Sequence, residues 1–300
     1  MVEYARPVAE GPFSLDLADG RRLEGWSAGE RGAPAVLLHM GTPSAGVPFA
    51  PIVDATLARG ARFVTYSRPG YAGSTRREGR SVADCAADAA AILDALAVER
   101  THTVGWSGGG PHALACAALL PDRVASAATL AGVAPWDAEG LTWLDGMAQE
   151  NLDEFGAALE GPDALLGFLE PLVAARVDVT AETIAAGLGS LLTDVDRAAL
   201  TGTFAEFLAL TDRLAVSSGP WGWLDDDLAF ARDWGFPLTE VTIPVTVWQG
   251  LHDAMVPPAH GEWLSAHVPG ARRRILPDDG HLSLVARFDD VLADLLGTDS

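Results

Sequence analysis

The chain has 300 residues, 49% of them hydrophobic, and a formal net charge of -21. That charge disfavours nucleic acid or an anionic membrane as partner, and no apolar run is long enough to cross a bilayer. All 20 basic residues are Arg, which excludes lysine chemistry such as Schiff-base formation.

The length suits one large domain, or one domain carrying an insertion. Met1 to Pro7 lacks a basic segment followed by an apolar core, so no signal peptide is expected. Cys85 and Cys116 fall in helix-like runs and are read as buried free thiols rather than a disulfide, in keeping with a cytoplasmic protein. Phe13 to Leu17 and Arg22 to Trp26 alternate apolar and polar residues around Asp19-Gly20, the pattern of a hairpin at a sheet edge. Ala35 to His39 is a short continuous apolar run, the mark of a strand buried on both faces, and it ends in Met40-Gly41-Thr42-Pro43. A helix is predicted over Ile52 to Arg59, a buried strand over Arg62 to Tyr66, and a loop over Arg68 to Ser74. Ser81-Val82-Ala83-Asp84 resembles a capping box and opens a helix to about Ala97. Thr101 to Trp106 reads as a strand, His112 to Leu120 as a helix and Val124 to Leu130 as a strand.

From about Pro135 to Pro237 the pattern becomes largely helical, at Leu152 to Leu159, Asp163 to Val173, Ala181 to Leu192 and Asp196 to Leu210. Trp136, Trp143, Trp221, Trp223 and Trp234 fall in this stretch, with the acidic run Asp225-Asp226-Asp227. Strand patterns resume at Ile243 to Trp248 and at Arg274 to Leu276. Strands alternating with helices predict an α/β core, a mostly parallel central sheet flanked by helices, over 1–134 and 238–300. A helical insertion over 135–237 interrupts it.

Gly105-Trp106-Ser107-Gly108-Gly109 fits G-x-S-x-G, a sharp strand-to-helix turn that presents a serine hydroxyl. No Lys-Ser/Thr follows, which argues against a phosphate loop. A serine hydroxyl is a poor nucleophile at neutral pH and needs a base, which in turn needs an orienting acid. Asp253 stands just past one predicted strand and His281 in the loop after the last, where open parallel sheets bind ligands. Asp137 is the rival acid, and a plain loop role is the alternative for Asp253 and for His281. His39 and His112 read as bracing or site-wall residues. His102, His252, His260 and His267 show no arrangement that suggests a metal site.

The elbow at Gly105 to Gly109, Gly250-Leu251-His252-Asp253, Gly280-His281, and Arg68-Pro69-Gly70-Tyr71 with Gly73-Ser74 together resemble the α/β-hydrolase superfamily. The resemblance is to its cap-bearing, esterase-like and proline-iminopeptidase-like branch, and the order Ser…Asp…His is the one found in that fold. It implies Ser107 as nucleophile, Asp253 as acid, His281 as base and no cofactor. One oxyanion donor is expected at the backbone N–H of Gly108, and a second in the loop after Ala35 to His39. Relatives commonly read His-Gly-x-Pro there, with the donor at x. Alignment on Gly-x-Pro makes Thr42 the donor and puts Met40 in the usual histidine place, whereas alignment on His39 makes it Gly41; Thr42 is preferred.

A serine nucleophile argues for acyl transfer to water through an acyl-enzyme, and against the branches that use Asp at the elbow. The tryptophan-rich insertion resembles a cap, which excludes water and shapes an apolar pocket. The expected partner is a small-molecule substrate: a small, largely apolar ester, lactone or thioester. Met40, Trp106, Trp136, Trp143, Trp221 and Trp223 are the candidate substrate contacts, although holding cap to core is the simpler role for most of the tryptophans. The cap is expected to set substrate choice while the core carries the chemistry. A proline-iminopeptidase-like aminopeptidase would hold an ammonium group with carboxylates among Asp225, Asp226, Asp227, Glu150 and Glu154, which an acidic surface explains equally well. A carbon–carbon bond hydrolase with the same triad, and a receptor-like binding protein on the same fold, are the other readings.

Overall fold

The computed structural model describes residues 11–297; Met1 to Pro7, read above for a targeting signal, lies outside them. The strands are β1 (Gly11–Asp16), β2 (Arg22–Ala28), β3 (Ala35–His39), β4 (Arg62–Tyr66), β5 (Thr101–Trp106), β6 (Val124–Leu130), β7 (Val245–Gly250) and β8 (Arg272–Leu276). They form one sheet in the order β1-β2-β4-β3-β5-β6-β7-β8. β1 and β2 pair antiparallel, β2 runs antiparallel to β4, and the pairs from β4 through β8 are parallel. Helices α1 (Ala50–Ala58), α2 (Cys85–Ala95) and α3 (Gly109–Leu119) precede β6. Between β6 and β7 run α4 (Gln149–Glu160), α5 (Pro162–Arg176), α6 (Ile184–Leu188), α7 (Asp194–Ala199), α8 (Gly202–Ala215) and α9 (Trp221–Phe230). α10 (Pro258–His267) and α11 (Phe288–Leu296) complete the core.

Every residue of β3 and of β4 is buried, as a strand sandwiched between helix layers requires. The two-residue pleat splits β3 between the layers. Val36 and Leu38 join Ile52 of α1 and Val291 of α11 on one face, while Leu37 joins Ile92 of α2 and Leu114 of α3 on the other. Each such side chain contributes about 1.5–3 kcal/mol over leaving it exposed. Cys85 and Cys116 are free and buried. Among the described residues no helix is long and apolar enough to cross a membrane.

Several expected boundaries move, each for a local reason. β7 starts at Val245 rather than Ile243, because Pro244 has no N–H for the ladder; its carbonyl still accepts from Ala127 N–H at 2.9 Å. β8 starts two residues early, and its arginines lie at the sheet edge, where Arg272 and Arg274 pair with Asp294. The run Ala181 to Leu192 is a short α6 and a 3-10 turn, broken where Gly189 takes φ +51°. The run Asp196 to Leu210 is likewise two helices, α7 and α8, parted at Gly202 with φ +51°. Helices α9, α10 and α11 are additions to the expected elements.

Candidate active site

Ser107 sits between β5 and α3 with φ +55°, a left-handed conformation that costs a non-glycine residue about 1–3 kcal/mol. The surroundings hold it there. Its N–H donates to the Leu130 carbonyl of β6 at 2.8 Å, and its carbonyl accepts from Gly110 N–H at 2.8 Å. The turn closes so tightly that a Cβ on Gly105 would lie 2.1 Å from the Gly109 carbonyl oxygen. The spacing of glycines in the elbow is therefore steric.

Asp253 lies just past β7 and is buried. Its Oδ1 accepts the N–H groups of Met255 (2.9 Å) and Val256 (2.8 Å). Its Oδ2 accepts from Gln249 Nε2 at 3.1 Å and meets His281 Nδ1 at 2.8 Å. A carboxylate only accepts, so the imidazole carries its proton on Nδ1 and leaves Nε2 as the basic nitrogen. Burial pulls the His281 pKa down, but the charge and hydrogen bond of Asp253, with Asp196 adding to them, leave it above the ordinary value. Trp106 Nε1 donates to the His281 carbonyl at 3.2 Å. Ser107, His281 and Trp106 line one cavity of about 110 Å³. Asp137, the rival acid, lines a different cavity beside Trp234 and Trp263.

The loop after β3 is fixed by a buried ionic cluster. Arg68 donates to the carbonyls of Met40 and Gly41 and to Thr42 Oγ1. Its guanidinium pairs with Asp226 of α9 at 2.5 Å, and Arg80 pairs with the same carboxylate at 2.6 Å. Asp226 also accepts from Thr42 Oγ1 at 2.7 Å and Tyr71 Oη at 2.8 Å. Burial opposes its ionisation, but the two guanidiniums hold its pKa far below the usual carboxylate range. Thr42 packs directly on Gly108, and the Gly41 backbone lies against Ser107. Among the described residues, the N–H groups of Gly41, Thr42 and Gly108 have no hydrogen-bond partner, so both expected second donors are available. His112 Nδ1 meets the Gly108 carbonyl at 2.8 Å, and burial holds its pKa well below the ordinary value, so it braces the elbow as a neutral imidazole.

A second cavity of about 110 Å³ also reaches Ser107, with Trp223, Glu154 and Asp227 in its wall. Trp223 Nε1 donates to Glu154 at 2.7 Å. Burial, with Glu154 alongside, pushes the Asp227 carboxyl well above the ordinary carboxylate value, and burial raises Glu154 as well. Arg176 borders both cavities, stacks 4.6 Å from the Trp223 ring and pairs with Asp212 at 3.3 Å. Burial raises the Asp212 pKa to about 6 against the pull of Arg176.

Trp106 and Trp223 thus meet the cavities, but the other expected contacts do not. Trp143 is spent on packing: its indole N–H donates to the Ala134 carbonyl at 2.7 Å, and its ring meets Trp136 at 5.0 Å and Phe155 at 4.7 Å. Trp221 lies under the Arg76 guanidinium at 4.4 Å. Met40 is 1% exposed and contributes its carbonyl to Arg68. Nor are Asp225, Asp226 and Asp227 an acidic surface, since all three are buried, Asp225 on Arg76. Glu150 is bound to Ser190. Among the described residues no group of His, Cys, Asp or Glu is placed to hold a metal ion. Asp196 and Arg176 were invisible to sequence reasoning, whereas Arg68 was flagged by its loop motif without its role.

A sequence-family profile described as alpha/beta hydrolase fold matches residues 34–287. The chain is 27% identical to the 2-hydroxy-6-oxononadienedioate/2-hydroxy-6-oxononatrienedioate hydrolase 2 of Pseudomonas putida, over 93% of this chain and 89% of that one. It is 32% identical to the uncharacterized hydrolase YcgS of Bacillus subtilis (strain 168), a match spanning 40% of this chain and 43% of YcgS. The crystal structure of a hydrolase from Pseudomonas aeruginosa PA01 shares the fold with a TM-score of 0.68 at 22% identity, covering 96% of this chain and 99% of that one. With a sheet of this order and a profile match over most of its length, the chain belongs to the alpha/beta hydrolase fold family.

Proposed function

We propose that the protein is a serine hydrolase that cleaves a small, largely apolar ester, lactone or thioester through an acyl-enzyme. The observation that carries this reading is that Ser107 and His281 line one cavity while Asp253 holds the far nitrogen of His281. In this mechanism His281 Nε2 takes the Ser107 proton as Oγ attacks the carbonyl carbon. The oxyanion forms against the N–H groups of Thr42 and Gly108, which are free to donate. His281 then protonates the leaving group, and water repeats the sequence on the acyl-enzyme. Residues 135–237 act as a cap. Two cavities of about 110 Å³ meeting at Ser107 suit a short acyl chain on one side and a small leaving group on the other.

The test is a panel of p-nitrophenyl esters of graded acyl length and amino-acyl anilides, run on wild type and Ser107→Ala. Hydrolysis of short esters that disappears in the variant is expected. Cleavage of anilides alone would replace the reading with an aminopeptidase using the Glu154–Asp227 pair. One further reading is favoured by Arg176, a cation bordering both cavities. It would suit a substrate carboxylate in a carbon–carbon bond hydrolase, and the Pseudomonas putida relative is named for a dioate. Adding that dioate to the panel decides between them.

A further inference from the structure

We propose that Asp196, on α7 of the helical insertion, is a positioning residue for His281: its carboxylate holds the loop that carries the base and places a second negative charge beside the imidazolium. This rests on the reading of His281 as the base. Asp196 is completely buried. Its Oδ2 accepts the His281 N–H at 2.9 Å, and its Oδ1 accepts the Leu282 N–H at 2.8 Å and the Ser283 N–H at 3.0 Å. Thr193 Oγ1 adds a fourth contact at 3.3 Å. Three successive main-chain donors on one carboxylate form an anion cradle, and here they open the 3-10 turn Ser283–Arg287. The approach depends on Gly280, where a Cβ would lie 2.5 Å from Asp196 Oδ1.

The histidine is thereby gripped at both ends. Asp253, from the core, orients the ring; Asp196, from the insertion, fixes the backbone on which the ring swings. Without the carboxylate, three adjacent buried N–H groups lose their acceptor, which the loop can repair only by moving. The charged groups around His281 are Asp253 after β7, Asp196 of α7, and Asp278 with the Asp279–Arg287 pair in its own loop. The Arg176–Asp212 pair of α5 and α8 borders the same cavity. Asp253 and Asp196 both favour the protonated ring, against burial.

The experiment measures the rate at which a fluorophosphonate labels Ser107 between pH 5 and 9, so it needs no knowledge of the substrate. Wild type, Asp196→Asn and Gly280→Ala are compared, each with a thermal melt. Asp196→Asn should label about 10- to 100-fold more slowly at the plateau, the scale of a misplaced catalytic group. Its acid limb should move to lower pH by about half a unit or more, because a carboxylate favouring the imidazolium is gone. Gly280→Ala should slow labelling with a smaller shift, since the charge remains. A folded Asp196→Asn that labels at the wild-type rate overturns the proposal. So does one that is slowed with the wild-type acid limb, which is all a merely structural contact would produce. If Asp196→Asn does not fold, wild-type labelling by Gly280→Ala overturns it instead. Failure of wild type itself to label would refute the serine-hydrolase reading, a different result.

Discussion

Replacing Asp226 by Asn tests whether the insertion holds the loop after β3, the proposed oxyanion loop. The change keeps the shape and removes one charge from a cluster in which Arg68, Arg80, Tyr71 and Asp226 are all buried. Arginine does not shed its proton, so two guanidiniums are left facing one neutral amide. Breaking a buried pair in this way costs about 3–5 kcal/mol, a large part of the roughly 5–15 kcal/mol that a folded protein has. At an unfolding entropy of about 2.1 cal/mol/K per residue, a chain of this length should melt about 5–8 °C lower. Because Asp226 titrates far below the usual carboxylate range, its contribution is fully present above about pH 4 and is lost only as pH falls through that lower value. The deficit in Tm should therefore stay constant between about pH 7 and 5. Arg68 would also loosen its hold on the Met40 and Gly41 carbonyls, and loss of one oxyanion donor lowers kcat by about 10²–10³. Calorimetry and kcat on an acetyl ester measure the two effects. Asp225→Asn, on the same helix but paired with the partly exposed Arg76, is the control and should keep kcat. An Asp226→Asn protein that melts with wild type would refute the energetic argument, and one that melts low but keeps kcat would refute the link to the oxyanion loop.

Asp253→Asn should leave the fold intact and lower kcat by about 10⁴, since the wrong tautomer of His281 is then favoured, whereas Asp137→Asn should hydrolyse normally. The dependence of kcat/KM on pH should show an acid limb above the ordinary histidine value: the base must be neutral, and its raised pKa keeps it protonated to higher pH. By linkage, the stability that the His281⁺–Asp253 pair adds is full below the ordinary value and fades as pH rises through the raised one. Trp143→Ala should cost about 3–5 kcal/mol, read by denaturant unfolding, without reordering acyl-chain preferences. Leu188→Ala, at a residue shared by both cavities, should instead shift the preference towards longer acyl chains in the ester panel.

The sheet was legible because strands buried on both faces, such as Ala35–His39, must be continuously apolar. Arg272 and Arg273 hid the start of β8, since an edge strand tolerates charge. Within the insertion, apolar periodicity ran on past two positive-φ glycines: α6 ends just before Gly189, and α7 ends at Ala199 before α8 begins at Gly202. Helix α9 escaped notice because three successive aspartates read as solvent-facing. The partners of Asp225 and Asp226, namely Arg68, Arg76 and Arg80, lie far upstream, and no local pattern connects them. The strand-turn-helix at Ser107 could be read because backbone sterics dictate its glycines, and chain topology put Ser107 and His281 in the wall of one cavity, with Asp253 against His281. The tryptophans could not be sorted, since a ring packed in a wall and one facing a cavity leave the same letter. Asp196 has no signature at all: the N–H groups it accepts from lie 85 residues and more away. Beside the expected division between a core that reacts and a cap that selects stand two contacts from the insertion: Asp226 accepts from Thr42, and Asp196 accepts from the His281 N–H.

The placement of α7 and α9 on those loops also bears on when the molecule becomes active. A ribosome delivers Ser107 first, Asp196 and Asp226 after it, and Asp253 and His281 after those. On the proposed roles, a nascent chain with Ser107 already folded still lacks its base, and a core with an undocked insertion has His281 adrift. Hydrolytic turnover would then lag behind secondary structure during refolding, and its appearance would report the last docking event rather than the first collapse.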